Sequence, residues 1–248
     1  MLFAGERILV TGASSGIGRA IATECVAEGA TVLACGRNVE RLAEARNSCA
    51  APDHWISLQY DFLNDMEDIP SWVSGLAHDY GKLWAGVHAA GEGIMDTLRT
   101  YSLSAARHHM DINFHVPMLL AKGFCDRRVS ENGGALLFLA SAAAVYPEKG
   151  HLVYGAAKAA LIAACKSMSQ EVAGRKLRIH CLSPGIVDGP LEAAAEQYMG
   201  TGYRETQLAG YPFGFGRPED VAVMSIFLLS KRTSWITGQN FVLAGGRY

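Results

Sequence analysis

Residues 11–18 read TGASSGIG and lie between the apolar run RILV, residues 7–10, and a helical pattern. Three of these residues are glycines, Gly12, Gly16 and Gly18. A glycine-rich turn from a strand into a helix exposes the first N–H groups of the helix and the positive end of its dipole, which together favour a bound pyrophosphate. Glycines can also serve only to make a turn, so this stretch alone is weak evidence for a nucleotide site.

The helical pattern after the turn begins a regular alternation of strands and helices. Ile17, Ile21 and Cys25 recur every four residues and predict one buried helical stripe, with Gly29 as its stop. Alternation of this kind is typical of βαβ units, in which helices cover both faces of a parallel sheet. The sequence therefore predicts a doubly wound α/β sheet of about seven strands in a single domain, residues 1–248. The predicted strands are residues 7–10, 31–35, 55–60, 84–90, 135–140, 178–183 and 241–244.

One segment, residues 186–216, interrupts the alternation and is rich in glycine. In a compact domain such a segment is more often a lid or a binding loop than a linker. Its apolar and aromatic residues favour an apolar or thioester-linked substrate over a sugar phosphate, although they would also suit a packed lid. These residues are Leu191, Tyr198, Met199, Tyr203 and Leu208.

The composition is that of a folded protein without a general attraction to polyanions. Half of the 248 residues are hydrophobic, 19% are charged, and the formal net charge is -2. Nucleic acid and anionic lipid attract basic surfaces, so neither is an expected partner. The sequence shows no signal-peptide pattern and no apolar run of the roughly 18 to 20 residues that span a bilayer, which predicts a cytoplasmic protein.

The cysteines and histidines give no metal-site pattern. The adjacent His108 and His109 lack a partner at ligand spacing and are predicted to lie on a solvated helix face. The six cysteines have no paired spacing, which favours reduced core thiols over disulfides or a zinc site, and no metal is expected. They are Cys25, Cys35, Cys49, Cys125, Cys165 and Cys181.

A second motif, YGAAK, places Tyr154 and Lys158 four residues apart, on one face of a predicted helix. A pair at this spacing is usually part of an ordinary helix surface. Thirteen residues earlier, the apolar run LFLAS ends at Ser141. A strand there would place this hydroxyl at the carboxyl edge of the sheet, where open α/β sheets bind their ligands.

Together, these motifs resemble the short-chain dehydrogenase/reductase family. TGASSGIG, INF with Asn113, Ser141, YGAAK and LSPGIV occur in the order and at the distances of that family, and GRPEDVA and WITGQNFVLAGG resemble its closing segments. The resemblance covers the whole chain. It implies a Rossmann-type fold, a nicotinamide cofactor and oxidoreduction between a carbonyl and an alcohol.

Carried over residue by residue, the resemblance implies that Tyr154 is the general acid/base and that Lys158 lowers its pKa and holds the nicotinamide ribose. It also implies that Ser141 donates to the substrate carbonyl and that Asn113 holds a relay water. The chemistry agrees, because a tyrosine with a pKa of about 10 needs a nearby positive charge to exchange protons at neutral pH. The implied cofactor contacts are Gly12, Ser14, Ser15, Gly16, Ile17, Gly18, Arg37, Asp61, Phe62, Ala90, Gly91, Tyr154, Lys158, Pro184, Gly185 and Ile186.

The end of the second predicted strand, TVLACGRN, bears on the choice of cofactor. Enzymes that select NAD usually place a carboxylate there for the ribose 2′-hydroxyl, whereas an arginine accommodates the 2′-phosphate of NADP. This chain has Gly36 and Arg37, which predicts NADP(H). The alternative is an arginine that only starts the next helix. Asp61 resembles the family's adenine-contacting aspartate.

Three segments depart from the family pattern. HAAG stands where NNAG is common, so that His88 and Ala89 replace two amides, while Gly91 is expected to keep the backbone path. Gly189 stands where a threonine often contacts the cofactor, and that contact is expected from backbone or water. Ala244 replaces a common aspartate in the final strand.

The leading prediction is an NADPH-dependent ketoreductase, since the catalytic residues and Arg37 are present. One alternative is an alcohol or polyol dehydrogenase that works in the oxidative direction with the same residues. The other is a non-catalytic NADP-sensing protein, which would be expected to lose Tyr154 or Lys158.

Two basic clusters bear on the substrate. DRR, residues 126–128, and GRK, residues 174–176, resemble the positions at which 3-oxoacyl reductases of the family receive an acidic acyl carrier protein. They predict a 3-oxoacyl thioester substrate and an acyl carrier protein that docks through Arg128 and Arg175. The alternative is that basic residues near helix ends only complement the dipole, and that the substrate is a free small molecule.

The resemblance further implies a homotetramer or a homodimer, with one interface formed by the helices that begin near Ser102 and His151. The stretch YGAAKAALIAACKSM has more small and apolar residues than one buried face requires, which supports a second packing surface.

Overall fold

A computed structural model, which describes residues 1–93 and 95–248, shows one parallel sheet of seven strands. The strand order is β3-β2-β1-β4-β5-β6-β7, so the chain runs outward from β1 in one direction and then from β4 in the other. Ligands of such sheets bind where the order reverses, beside the carboxyl ends of the strands. The strands are β1 Arg7–Thr11, β2 Thr31–Gly36, β3 Trp55–Gln59, β4 Leu83–His88, β5 Ser130–Leu139, β6 Arg178–Pro184 and β7 Asn240–Leu243.

Helices cover both faces of the sheet and make two cores. One core joins α1, α2 and α9 to the sheet through residues such as Ile21, Leu42 and Ile226. The other lies beneath α3, α5 and α6. Strands covered on both sides are expected to be apolar; every residue of β4 is buried, and all but the last, His88, are apolar or glycine. The helices are α1 Gly16–Ala27, α2 Val39–Ser48, α3 Ile69–Tyr80, α4 Leu103–Met110, α5 Val116–Phe124, α6 Leu152–Glu171, α7 Pro190–Met199, α8 Tyr203–Leu208 and α9 Pro218–Leu229.

The predicted doubly wound sheet and the seven predicted strands are confirmed, with one clear difference in a boundary. β5 begins at Ser130, whereas the sequence predicted residue 135. Ser130 pairs with Leu83 and Ala135 pairs with Ala85, so the register shifts between these two pairs. The polar, glycine-rich start of β5 is therefore an irregular strand, although it has the composition of a turn.

The first helix follows its predicted stripe. Ile21 and Cys25 are fully buried against the sheet, whereas Ile17 is only partly buried, in the first turn. The helix ends at Ala27, and Gly29 follows with a φ of +88°. A left-handed conformation at this position suits glycine, which confirms the predicted stop.

Two connections differ from regular helix and loop. A π-helical turn, Asp111–His115, joins α4 to α5 and holds the fully buried Asn113. Single π-helical turns are frequent at functional sites. About half of the segment of residues 186–216 is helical, because it contains α7 and α8.

All six cysteines are unpaired, and five of them are buried. No helix in the described part of the chain is both long enough and apolar enough to cross a bilayer. Among the same residues, no group of three His, Cys, Asp or Glu side chains is arranged to hold a metal ion.

Candidate active site

A cleft with a volume of about 780 Å³ lies at the carboxyl edge of the sheet. A volume of this size is typical of cofactor and substrate sites. Every residue for which the sequence predicted a catalytic or cofactor-binding role lines this cleft, from the glycine turn to Ile186. Motifs that are far apart in the sequence are thus brought into one site.

Packing within the protein explains two of the three glycines in TGASSGIG. A Cβ on Gly12 would lie 2.8 Å from the Ala90 nitrogen, and Gly12 has a φ of +69°. A Cβ on Gly18 would lie 2.7 Å from the carbonyl carbon of Gly12. Gly16 has a φ of +51°, and a Cβ there would meet only Pro190, at 3.6 Å.

The beginning of α1 fits a phosphate group. Ser15 is in extended conformation at the N-cap, and no side chain in the described residues caps the helix there. The first N–H groups of the helix therefore keep their capacity to donate at the wall of the cleft. The glycine turn therefore has two effects. It lets the backbone pack closely against residues 89–90, and it leaves the first N–H groups of α1 free to donate into the cleft.

Helix α6 holds Tyr154 and Lys158 one turn apart. The Lys158 Nζ donates to the Leu139 carbonyl at 2.8 Å and lies 5.7 Å from the centroid of the Tyr154 ring. A Cβ on Gly155 would lie 3.0 Å from the Ala143 carbonyl oxygen. The glycine in YGAAK therefore lets the first turn of α6 approach the turn that follows β5.

Burial shifts the pKa of both side chains. It lowers the pKa of Lys158 to about 8. It raises the pKa of Tyr154 above its ordinary value, while the Ser141 hydroxyl acts in the opposite direction. Without a cofactor the tyrosine is thus a weaker acid than in water, which agrees with the view that further positive charge is needed for catalysis.

The Ser141 hydroxyl caps a short 3-10 turn, residues 142–144. Its Oγ accepts a hydrogen bond from the Ala143 N–H at 3.2 Å. Because the Ser141 oxygen accepts there, its proton can be donated to another group, and Ser141 also forms a hydrogen bond with Tyr154.

Asn113 presents an acceptor beside Lys158. Its Nδ2 donates to the carbonyls of Glu92, at 2.9 Å, and His109, at 3.1 Å. Its Oδ1 is buried and has no hydrogen-bond partner in the described part of the chain. A Cβ on Gly91 would lie 2.9 Å from this Oδ1 and 3.5 Å from the Lys158 Nζ, so both groups converge on Gly91. A free acceptor beside an ammonium group suits a water or a ligand hydroxyl that donates to it.

His88, one of the departures from the family pattern, takes part in a local hydrogen-bond network. Its Nδ1 lies 2.9 Å from the Thr11 Oγ1, which accepts from the Ala90 N–H at 3.2 Å. Burial, with a smaller effect of the Lys158 charge, lowers the pKa of His88 to about 3, so the ring is neutral. The histidine thereby joins the end of β1 to the segment after β4.

Arg37 and Glu92 both line the cleft and form an ion pair. The Arg37 Nη1 lies 3.2 Å from the Glu92 Oε1, and Glu92 also holds the His108 Nε2 at 3.0 Å. Arg37 precedes the N-cap of α2, which is Asn38, so it does not start that helix. His109 is buried, so the expected solvated face is wrong for this residue.

Tyr211 lines the cleft and is held by Arg247, a contact that the sequence did not predict. The Tyr211 hydroxyl accepts from the Ile186 N–H at 2.9 Å, and the Arg247 guanidinium lies 4.8 Å from the Tyr211 ring. Arg247 also donates to Glu148 at 2.7 Å and to Gln207 at 3.0 Å. It thus joins the segment after β5 to α8.

The five aromatic and apolar residues predicted to meet a substrate lie on α7 and α8. Leu191, Tyr198 and Tyr203 line the cleft, and Leu191 contacts Gly93 on the opposite wall. Leu208 is exposed and does not line the cleft, in contrast to the prediction. The side chain of Met199 lies outside the described part of the chain.

The two basic clusters lie at the opposite edge of the sheet from the cleft, because they precede β5 and β6. Arg128 forms an ion pair with Asp126 at 2.7 Å and is exposed. Arg175 donates to the carbonyls of Cys125, at 2.8 Å, and Ser130, at 2.7 Å, which gives it a structural role.

Comparisons with known proteins agree with this architecture. The family model described as short chain dehydrogenase matches residues 6–199. The 3-oxoacyl-(acyl-carrier-protein) reductase FabG of Thermotoga maritima is 27% identical over 250 residues, which cover 99% of each chain. The D-threitol dehydrogenase of Mycolicibacterium smegmatis is 28% identical and covers 98% of this chain and 92% of its own. The crystal structure of a short-chain dehydrogenase/reductase from Brucella melitensis, described as glucose/ribitol dehydrogenase, has a TM-score of 0.90 and 25% identity, with 100% of this chain and 98% of that chain covered.

Proposed function

The chain belongs to the short-chain dehydrogenase/reductase family, and on that premise we propose that it reduces a carbonyl substrate with NADPH. Membership of the family makes it an oxidoreductase of the carbonyl/alcohol couple that uses a nicotinamide cofactor. The proposal rests on one observation: four candidate catalytic residues line the same cleft as the glycine turn. They are Tyr154, Ser141, Lys158 and Asn113.

The proposed chemistry divides the proton and the hydride between protein and cofactor. The bound cofactor supplies the hydride. Tyr154 gives its hydroxyl proton to the carbonyl oxygen, and Ser141 donates a hydrogen bond to the same oxygen. The Lys158 ammonium stabilises the phenolate that remains. The free Oδ1 of Asn113 holds the water through which the phenolate regains a proton.

The choice of NADPH rests on Arg37, whose guanidinium lines the cleft together with Arg41. A guanidinium meets a phosphate with charge-assisted hydrogen bonds of about 1.5 to 3 kcal/mol each, which a ribose hydroxyl cannot match. We expect a lower Kd for NADPH than for NADH, and a smaller difference in Arg37→Ala. Equal Kd values for the two cofactors in the wild type would reject this choice.

Two substrate classes follow from the relatives. The full-length similarity to a 3-oxoacyl reductase and the apolar lining by Leu191 and Tyr198 support a 3-oxoacyl thioester as the first candidate. The similarity to a D-threitol dehydrogenase, at nearly the same identity and coverage, supports a polyol as the second.

A panel of reactions separates the candidates. NADPH oxidation is measured with ketones, 3-oxoacyl thioesters and quinones, and NADP+ and NAD+ reduction with polyols. The proposal predicts turnover of a carbonyl compound with NADPH. Turnover of polyols alone would favour the oxidative dehydrogenase, and tight cofactor binding without turnover of any compound would favour a sensing protein.

Substitution of Arg128 tests whether an acyl carrier protein docks on this chain. If the carrier binds at this cluster, Arg128→Glu and high salt should raise the KM for a carrier-linked thioester and leave a free ketone unaffected. Arg175→Glu is a poor test, because it would break the contacts with Cys125 and Ser130. If the KM values of carrier-linked and free substrates respond equally to Arg128→Glu and to salt, docking of a carrier is rejected and the protein is a small-molecule ketoreductase.

We also propose that the chain assembles as a homodimer or homotetramer through α4 and α6. An apolar groove of about 590 Å³ beside α6 is lined by Leu98, Leu152, Ala156 and Ala159. Leu98 is 84% exposed in the single chain, and Leu103 and Leu152 are also exposed. Apolar surface of this kind is typical of a surface that another chain covers.

A further inference from the structure

Glu92 is a carboxylate within the cofactor cleft that the family resemblance did not point to. It holds Arg37 at 3.2 Å and His108 at 3.0 Å, and its side chain is 29% exposed. Arg37 follows β2 and Glu92 follows β4, and both strands flank β1. The ion pair therefore joins the segments on either side of the strand that leads into the glycine turn.

The main chain of Glu92 is fixed in this position. Its carbonyl accepts from the Nδ2 of Asn113 at 2.9 Å. It lies between Gly91, on which Asn113 and Lys158 converge, and Gly93, which contacts Leu191. The carboxylate therefore reaches Arg37 from an anchored backbone and not from a free loop.

The carboxylate is ionised at neutral pH. Burial would raise the pKa of Glu92, but the hydrogen bond from His108 and the charge of Arg37 outweigh this effect, and the pKa is lowered. Arg37 thus already has an anionic partner in the absence of cofactor. A 2′-phosphate that binds Arg37 must displace this partner or lie beside a second negative charge.

Stability does not account for this pair. The Arg37 side chain is 61% exposed. An ion pair with so much exposure contributes little to the stability of the fold. A carboxylate near the ribose of the adenosine is, on the other hand, the group that accepts from the 2′-hydroxyl of NAD.

We propose that Glu92 is a second determinant of cofactor choice, which opposes Arg37 by competing with the 2′-phosphate for its guanidinium. The inference rests on the proposed NADPH-dependent function. It means that the preference for NADP(H) over NAD(H) is smaller than Arg37 alone would produce. Glu92→Gln keeps the shape and the backbone contact with Asn113 but removes the charge.

The test compares the Kd values of NADP+ and NAD+, measured by calorimetry. In Glu92→Gln we expect NADP+ to bind about two- to fivefold more tightly, because a weak ion pair no longer has to be broken, and NAD+ to bind no more tightly than in the wild type. Glu6→Gln is the matched control, since Glu6 forms an ion pair with Lys231 at 2.7 Å and precedes β1 at the opposite edge of the sheet. This control should leave both Kd values unchanged.

Glu92→Gln in an Arg37→Ala background shows whether Glu92 acts through Arg37. If Glu92 acts by occupying Arg37, the gain for NADP+ should largely disappear there; an undiminished gain would overturn the competition. An unchanged Kd for NADP+ in Glu92→Gln, while Arg37→Ala still weakens NADP+, would overturn the role of Glu92 alone. If the wild type does not prefer NADP+ and Arg37→Ala changes nothing, the proposed cofactor choice itself fails.

Discussion

Lys158 is the buried cation of the site, and its charge depends on pH in the range in which the protein would be assayed. Burial lowers its pKa to about 8, so the free protein loses this charge as the pH rises through that value. If the ammonium holds the nicotinamide ribose, the affinity for NADPH should be constant below about pH 8 and fall above it, with uptake of up to one proton on binding. Calorimetry at about pH 7 and about pH 9, in buffers with different ionisation enthalpies, measures this uptake.

The control for this measurement is Lys158→Met, which has no proton to take up. Binding of NADPH to the wild type at about pH 9 without proton uptake would show that the charge of Lys158 plays no part in the complex.

Single residues could be assigned from sequence where they belong to a motif. Ser141, Tyr154 and Lys158 stand at fixed spacings, and the structure brings them into one cleft. Glu92 and Arg247 could not be found in this way, because their partners are distant in the sequence and only the fold brings them together. No local pattern distinguishes them from other surface charges.

The contact between β1 and α1 depends on Gly18. Alanine is the better helix former by about 1 kcal/mol. A Cβ at Gly18 would nevertheless lie 2.7 Å from the backbone carbon of Gly12, and backbone cannot move aside cheaply. We therefore expect Gly18→Ala to lower the free energy of unfolding and to weaken cofactor binding, as measured by chemical denaturation and NADPH titration.

Gly75 provides the matched control inside α3, because a Cβ at this position would have no atom of the described residues outside its own helix turn within 4 Å. Gly75→Ala should stabilise the protein by about 0.5 to 1 kcal/mol and leave cofactor binding unchanged. If Gly18→Ala stabilised the protein as much as Gly75→Ala does, close packing between the turn and α1 could not be the reason for the glycine at this position.

The strands and helices could be predicted from the pattern of apolar residues, and the elements that were missed or misplaced have physical explanations. The start of β5 was missed because its pairing with β4 shifts in register at a glycine-rich stretch. The π-helical turn, Asp111–His115, could not be predicted from the sequence. One extra residue in a helical turn hardly changes the polarity of the segment or the spacing of its apolar residues. The glycines of residues 186–216 indicated a loop, whereas α7 and α8 occupy much of it, with Gly200 and Gly202 at φ +87° between them.

Assembly of the chain can be tested through Leu152, which is exposed at the start of α6. Light scattering at micromolar concentration should give a dimer or a tetramer for the wild type. Leu152→Asp should dissociate it, because a charge would then be buried in the apolar interface. An aspartate in the first turn also suits the helix dipole, so the fold itself should persist. A monomeric wild type would contradict the proposed assembly.

The proposed chemistry assigns the transferred proton to a single side chain, the hydroxyl of Tyr154. Turnover of a carbonyl substrate by Tyr154→Phe, with NADPH binding measured on the same preparation, tests this assignment. The pocket remains and the proton donor is lost, so we expect kcat to fall by about 10² to 10⁴ while the Kd of NADPH stays unchanged. A kcat close to that of the wild type, in a folded variant that binds NADPH normally, would contradict the mechanism.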